Sequence, residues 1–221
     1  MGYIWHFEVI WDYQVVFYRA AVMTGVITLG SLVMGLVLGL TLGMMRLSRF
    51  AWLRAPATFY VELFRSTPVL VQLVWIYYAL PVLSGVQMGN VTSLTVGLGL
   101  HSAAYFAEIF RAGILSIDRG QMDAAKAIGM RYFQAMRRII LPPAVRRMIP
   151  PLINEFATLM KLSTLGTVIG VAELLHESEN LINNTFRPLE VYTVLALAFG
   201  AIIYPFIYLS QYVEKRLRVR S

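Results

Sequence analysis

The stretch SIDRGQMDAAKAIGMRYFQAMRRIILPP, residues 116–143, is a polar and basic island between apolar runs, and its signals are those of ordered helices rather than of a tether. Asp118 followed by Gln121 reads as a capping box, residues 121–128 are helix formers, and Gly129 suits a left-handed stop. A second helix is expected to run to Leu141 and Pro142. Ala124 and Ala125 keep one face low, while Met122, Met130, Tyr132 and Phe133 offer adaptable apolar surface beside Arg131, Arg137 and Arg138. Such a face fits a groove on another protein, and equally the surface of the inner leaflet.

What flanks the island is apolar. Of 221 residues, 58% are apolar, 14% are charged and none is cysteine, whereas soluble domains are about a quarter charged. A helix needs about 20 apolar residues to cross a hydrocarbon core about 30 Å thick. Five runs of that order occur, at about 20–45, 57–83, 91–110, 144–162 and 191–212, so the expected fold is an all-α integral membrane protein, one domain over residues 1–221. Glu8 and Asp12 precede the first run with no basic leader, so that span is expected to stay in the mature chain.

Basic residues orient the spans. The 46–54 link holds Arg46, Arg49 and Arg54, the 111–147 link holds eight, and the tail holds Lys215, Arg216, Arg218 and Arg220. The other side carries only Arg19 and Arg187 against six acids, Glu8, Asp12, Glu173, Glu177, Glu179 and Glu190. This places the N-terminus outside and the C-terminus in the cytoplasm. The net charge of +7 is thus a topology signal and not a nucleic-acid footprint. Gly35, Gly39 and Gly43, at four-residue spacing in the first span, allow a neighbouring helix to approach closely.

The island and its flanks also carry a resemblance. Asp123, Ala124, Ala125, Gly129, Ile139, Leu141 and Pro142 resemble the cytoplasmic loop motif of ABC importer permeases of the polar amino acid subfamily, with Asp in place of the usual Glu at 123. ELFRSTPVLVQLVWIYYALP (62–81) and VIGVAELL (168–175) extend the similarity to most of the chain. The resemblance implies a type I importer permease in the bacterial inner membrane, with residues around 118–131 as a coupling helix seated on a separate ATPase subunit. Asp118, Gly120, Asp123, Ala124, Ala125, Gly129, Met130 and Arg131 would make that contact. It further implies a second permease subunit, identical or a sister chain, a dimer of ATPase subunits holding ATP and magnesium, and an extracytoplasmic binding protein. The chain has no G-x-x-x-x-G-K-[ST] phosphate loop, so ATP hydrolysis is expected from a partner, and no cofactor is expected here.

Polar residues inside the spans are the other candidates, because lipid makes them expensive. Asn154, Thr158 and Lys161 share a helix face in the fourth span, with Glu155 nearby and Ser163 and Thr164 just beyond. An amino acid zwitterion needs an anion for its ammonium and donors for its carboxylate, roles open to Glu155 and Lys161. The plainer alternative has Lys161 snorkelling and Glu155 pairing with a basic loop residue. Relatives usually read K-D-T-S-L where this chain has Lys161-Leu162-Ser163-Thr164-Leu165. Glu62 with Arg65 and Glu108 with Arg111 are spaced for i, i+3 ion pairs with gating or structural roles, and Pro68 should kink the second span as a hinge. His176, Glu177 and Glu179 match no zinc spacing and read as an outer loop, and no nucleophile motif is present. Two alternatives to an amino acid importer stand at this point: a permease of another ABC class, and a membrane scaffold or sensor that recruits a partner without transport.

Overall fold

The computed structural model describes residues 3–218, so Arg220 of the basic tail lies outside the described residues. The chain is helical: α1 (Glu8–Asp12), α2 (Gln14–Arg46), α3 (Ala51–Ser66), α4 (Val69–Ser84), α5 (Asn90–Leu115), α6 (Arg119–Ala127), α7 (Tyr132–Ile169), α8 (Leu174–Thr185) and α9 (Pro188–Arg218). No strand occurs among the described residues. Two helices, α2 and Pro188–Arg216 of α9, are each long and apolar enough to cross a membrane, and counting two bent pairs as broken spans raises the number to four.

The 26-residue α5, which carries the third predicted span, is the axis of the bundle. Its composition includes Ser93, His101 and Ser102, all buried, because its neighbours are α2, α3, α4 and α7 rather than lipid. Leu94, Leu98 and Phe106 of α5 close a core with Ile27, Leu73, Leu159, Ile169 and Val171. The glycine stripe of α2 is what admits α5. A Cβ on Gly39 would stand 2.5 Å from Phe106 Cβ and 2.9 Å from the Ala103 carbonyl, and one on Gly43 would stand 2.9 Å from the Ala107 carbonyl. Gly35 faces Ser102 and Phe106 in the same way. Apart from the Ser102 hydroxyl, these contacts are with main chain and with the Cβ and ring of buried Phe106, which cannot retreat.

The second predicted span, 57–83, is not one helix. It breaks at Thr67 and Pro68, and α3 meets α4 at 109°. Proline lacks the N–H that would continue the ladder, and Pro68 adopts an extended ψ of 133°. The second departure is the reverse case. The helix beginning at Tyr132 does not end at Pro142 but continues through Leu162. A five-residue π turn, Met136–Ile140, precedes Leu141-Pro142, just as another, Trp75–Ala79, precedes Leu80-Pro81. In each the leucine N–H reaches back five residues, to the Met136 and Trp75 carbonyls. The wider turn shifts the carbonyls that the proline ring would otherwise strike.

The 163–190 link is likewise ordered. α7 closes as a 3-10 segment, Ser163–Ile169, and Gly170 turns the chain at φ +69 before α8. His176, Glu177 and Glu179 therefore lie on a helix and not in a loop. Glu173 is buried and caps α8, accepting from Leu175 N at 2.9 Å, His176 N at 2.9 Å and Thr167 Oγ1 at 2.6 Å.

Replacing Gly39 by alanine should lower the midpoint of thermal unfolding in detergent by several degrees, corresponding to about 1–3 kcal/mol of overpacking. Gly25, with nothing within 4 Å of its notional Cβ, should accept alanine without loss. Equal melting of the two variants would contradict this account of the α2–α5 contact.

Candidate functional site

The island that opened the sequence forms α6 and the start of α7. Asp118 is the N-cap of α6, but its Oδ1 accepts from Gly120 N at 2.6 Å, and Gln121 gives only its backbone N–H to the Asp118 carbonyl at 3.1 Å. The expected reciprocal capping box is replaced by this tighter turn. At the other end Gly129 sits at φ +84, its N–H bonds the Lys126 carbonyl at 2.9 Å, and Met130 N bonds the Ala125 carbonyl at 3.1 Å. That pair of bonds is the Schellman stop that glycine permits. The Gln134 side chain then accepts from Arg131 N at 3.1 Å and starts α7.

The faces of α6 differ from expectation. Ala125 is 1% exposed, and Met122 packs on Ile117, Ile140, Ala144 and Met148, so both serve the protein's own core. The apolar groups left outside are Ile128 at 78%, Tyr132 at 63% and Phe133 at 72% exposed. Asp123 and Lys126 are exposed and 4.0 Å apart, and Arg119, Ala124 and Arg131 are also exposed. The free surface is thus a basic rim around aromatic and aliphatic side chains at the α6–α7 corner.

Above this corner, three guanidiniums converge on one carboxylate. Glu108 Oε2 receives Arg46 Nη1 at 2.5 Å and Arg111 Nε at 3.0 Å, and Oε1 receives Arg111 Nη2 at 2.5 Å. Arg65 Nη1 stands 4.0 Å from Oε2 and its guanidinium lies over the Tyr105 ring, 5.5 Å from the centroid. The Glu108–Arg111 pair forms as its spacing allows. Glu62, in contrast, is exposed and has no ion pair among the described residues, because Arg65 turns from its own helix toward α5. Arg46, at the end of α2, is the partner that spacing within one helix could not reveal. Beside Glu108 an open cavity of about 330 Å³ is lined by Ala112, Gly113, Ser116 and Arg147, whose Nη1 donates to the Ser116 carbonyl at 2.6 Å.

The elbow at Pro68 carries a second polar group that sequence reasoning missed. Gln72 Nε2 shares its two hydrogens among the Phe64 carbonyl at 2.8 Å, the Thr67 carbonyl at 3.0 Å and the Thr67 hydroxyl at 2.7 Å. Gln72 Oε1 is thereby left as an acceptor for buried His101 Nδ1 at 2.9 Å, which sets the His101 tautomer. A glutamine four residues after a proline in an apolar run was the available signal.

The fourth-span residues sit along α7 as their spacing requires. Asn154 and Lys161 are exposed, and Glu155 and Thr158 are half-buried. Thr158 donates to the Asn154 carbonyl at 3.0 Å, Thr164 to that of Lys161 at 2.7 Å, and buried Ser163 to that of Met160 at 2.7 Å. Neither Glu155 nor Lys161 has an ion pair among the described residues. Among those residues no group of three or more His, Asp or Glu stands close enough to hold a metal.

Helices long and apolar enough to cross a membrane, packed on a central helix that holds buried polar groups, define a membrane-embedded helical bundle. The sequence model of a family described as "Binding-protein-dependent transport system inner membrane component" matches residues 35–219, and the chain belongs to that family, the permease subunits of ABC importers. Such a subunit is not itself the ATPase. The arginine transport system permease protein ArtQ of Bacillus subtilis (strain 168) is 36% identical over 188 residues, 85% of this chain and 86% of that protein. The glutamine transport system permease protein GlnP of Escherichia coli (strain K12) is 34% identical over 212 residues, 95% of this chain and 96% of its own. The solved structure of an amino acid ABC transporter with histidines superposes with a TM-score of 0.90 at 33% identity, covering 97% of this chain and 100% of that one. The inward-facing MetNI methionine ABC transporter shares the fold, with a TM-score of 0.77 at 22% identity.

Replacing Glu108 with glutamine should destabilise the protein by about 1–3 kcal/mol, since three guanidiniums then face one another at a partly exposed site. Glu62→Gln, which breaks no pair, should melt within about 0.5 kcal/mol of the parent. Thermal unfolding in nanodiscs reads both, and equal losses would dissolve the distinction drawn between them.

Proposed function

We propose that this chain carries polar amino acids inward, as one of two permease subunits in a bacterial inner-membrane importer. The observation that carries the proposal is the near full-length likeness to an amino acid ABC transporter, joined by relatives described as glutamine and arginine permeases. Two ATPase subunits holding ATP and magnesium would supply the energy, and an extracytoplasmic binding protein the substrate.

Five spans with the N-terminus outside fit the contacts. Residues assigned to the cytoplasmic side meet one another, as Arg46, Arg65, Glu108 and Arg111 do. Those assigned outside also meet: Tyr3 and His6 bind Glu190, and Asn90 Nδ2 donates to the Gly170 carbonyl at 2.8 Å. In this reading α3 and α4 together make one broken span.

The corner at Ile128, Tyr132 and Phe133, rimmed by Arg119, Asp123, Ala124, Lys126, Met130 and Arg131, is the seat for the ATPase. Asp118, Gly120 and Gly129 fix the ends of α6, and Ala125 ties it to the core. ATP binding draws the ATPases together, α6 follows, and the bundle re-orients between outward- and inward-open states. The unpaired Glu155 offers a carboxylate to the substrate ammonium, and Lys161 with Asn154 offers donors to its carboxylate. Thr158, Ser163 and Thr164 have already spent their protons on the helix and keep only acceptor capacity.

Reconstitution with the ATPase and binding protein, followed by a screen of radiolabelled amino acids, should show ATP-driven accumulation; uptake of sugars alone would overturn the substrate class. Phe133→Asp should leave insertion intact and reduce uptake to background, because a charge is placed in the seat. Gly129→Pro should do the same, since proline cannot adopt φ +84. Ala125→Arg should instead reduce the amount of folded protein. Glu155→Gln should lower uptake at limiting substrate about tenfold, the weight of one charged hydrogen bond.

A further inference from the structure

The N-terminal segment is pinned down while its largest side chains stay outside. Tyr3 hydroxyl donates to Glu190 Oε2 at 2.6 Å, His6 N donates to Oε1 at 3.0 Å, and Arg187 Nη1 reaches the Ile4 carbonyl at 3.4 Å. Glu190 itself is fully buried beneath this strap. Tyr3, Trp5 and Phe7 form a ring ladder, with centroids 5.3 and 5.4 Å apart. Yet Ile4, Trp5, Phe7 and Trp11 are exposed, Trp11 to 73%. Phe186, one residue from Arg187, is 83% exposed and held at φ +56, a conformation that a bulky residue rarely adopts. An ordered segment that displays tryptophans and phenylalanine to water would be unfavourable; the surroundings that favour such rings are the boundary of a membrane.

The height of the strap agrees. Ala20 of α2 and Leu195 of α9 belong to one buried cluster. From Ala20 to Tyr13 the chain climbs about 10 Å, and from Leu195 to Glu190 about 7.5 Å, so Tyr13 and Glu190 stand within about 3 Å of one level. That level is the end of the apolar run of α9, on the face of the bundle opposite the Glu108 cluster. The zone between hydrocarbon and bulk water is about 5–8 Å thick, enough to hold the whole strap. The exposed rings also continue directly into Val15, Val16, Tyr18, Val22 and Val26, the exposed apolar side of α2. In an inner-membrane component an exposed apolar side of this kind is suited to lipid contact.

We propose that residues 3–13 and Phe186 form an aromatic collar lying in the headgroup–acyl boundary, with lipid as its partner and buried Glu190 as its pin. The collar fixes the heights of α2 and α9 relative to the bilayer. It depends on membrane residence but on no step of transport.

The chain contains no cysteine, so single-site labelling needs no background changes. Trp11→Cys, Phe186→Cys and, as a solvated control, Lys126→Cys on α6 would each carry a nitroxide in the full chain, in vesicles of phosphatidylethanolamine and phosphatidylglycerol. Lipid contact predicts an oxygen-to-nickel-chelate accessibility ratio at positions 11 and 186 at least about fivefold above the control. A ratio within about twofold of the control would mean solvated rings and overturn the collar. Labels shielded from both reagents would mean a protein partner, and overturn it equally. Should the strap tolerate no label, the unlabelled protein with Trp52→Phe and Trp75→Phe reports through Trp5 and Trp11. Quenching by shallow nitroxide lipids supports the collar, and quenching by iodide alone refutes it. The assay contains no ATPase or substrate, so its failure leaves the import reading standing.

Discussion

Everything in this bundle is arranged around the close approach of α2 to α5. Without water in the hydrocarbon layer, helix association there rests on van der Waals contact and a few hydrogen bonds. Three glycines bring the α2 main chain against Ser102, Phe106 and the Ala103 and Ala107 main chain. Because α5 is then enclosed, it can hold His101, Ser102 and the Glu108 carboxylate that lipid contact would disfavour. Those groups in turn fix α3, α4 and the end of α2. The small residues of α2 and the polar groups of α5 are thus two sides of one contact.

Much of this was legible in the chain. Apolar run lengths located the helices, and Gly129 marked the end of α6. The glycine spacing pointed to a close contact. What was not legible depends on contacts between distant residues. Arg65 leaves Glu62, the i, i+3 spacing notwithstanding, because α5 presents a carboxylate already shared with Arg46. Glu173 and Glu190 counted as outer-loop charge, whereas each is buried and satisfied by backbone N–H groups. Ala125 looked like a smooth outer face, yet α6 turns it inward.

Proline gave two opposite errors from one rule. At Pro68 a kink was expected, and the helix breaks outright. At Pro142 an end was expected, and the helix continues. The difference lies in the preceding turn: Met136–Ile140 is widened to five residues, so the lost N–H and the ring are absorbed. Before Pro68 no such widening exists, and Thr67 goes to extended geometry. The residues that decide between the two outcomes are not distinctive in composition.

The amide of Gln72 bears on how this elbow can behave. It closes the open carbonyls of α3 from a position on α4, and the same side chain is tied to His101 on α5. Swinging one arm about Pro68 would uncouple all of these at once. The bend is therefore braced from both arms to α5, and any swing about Pro68 has to break that brace first.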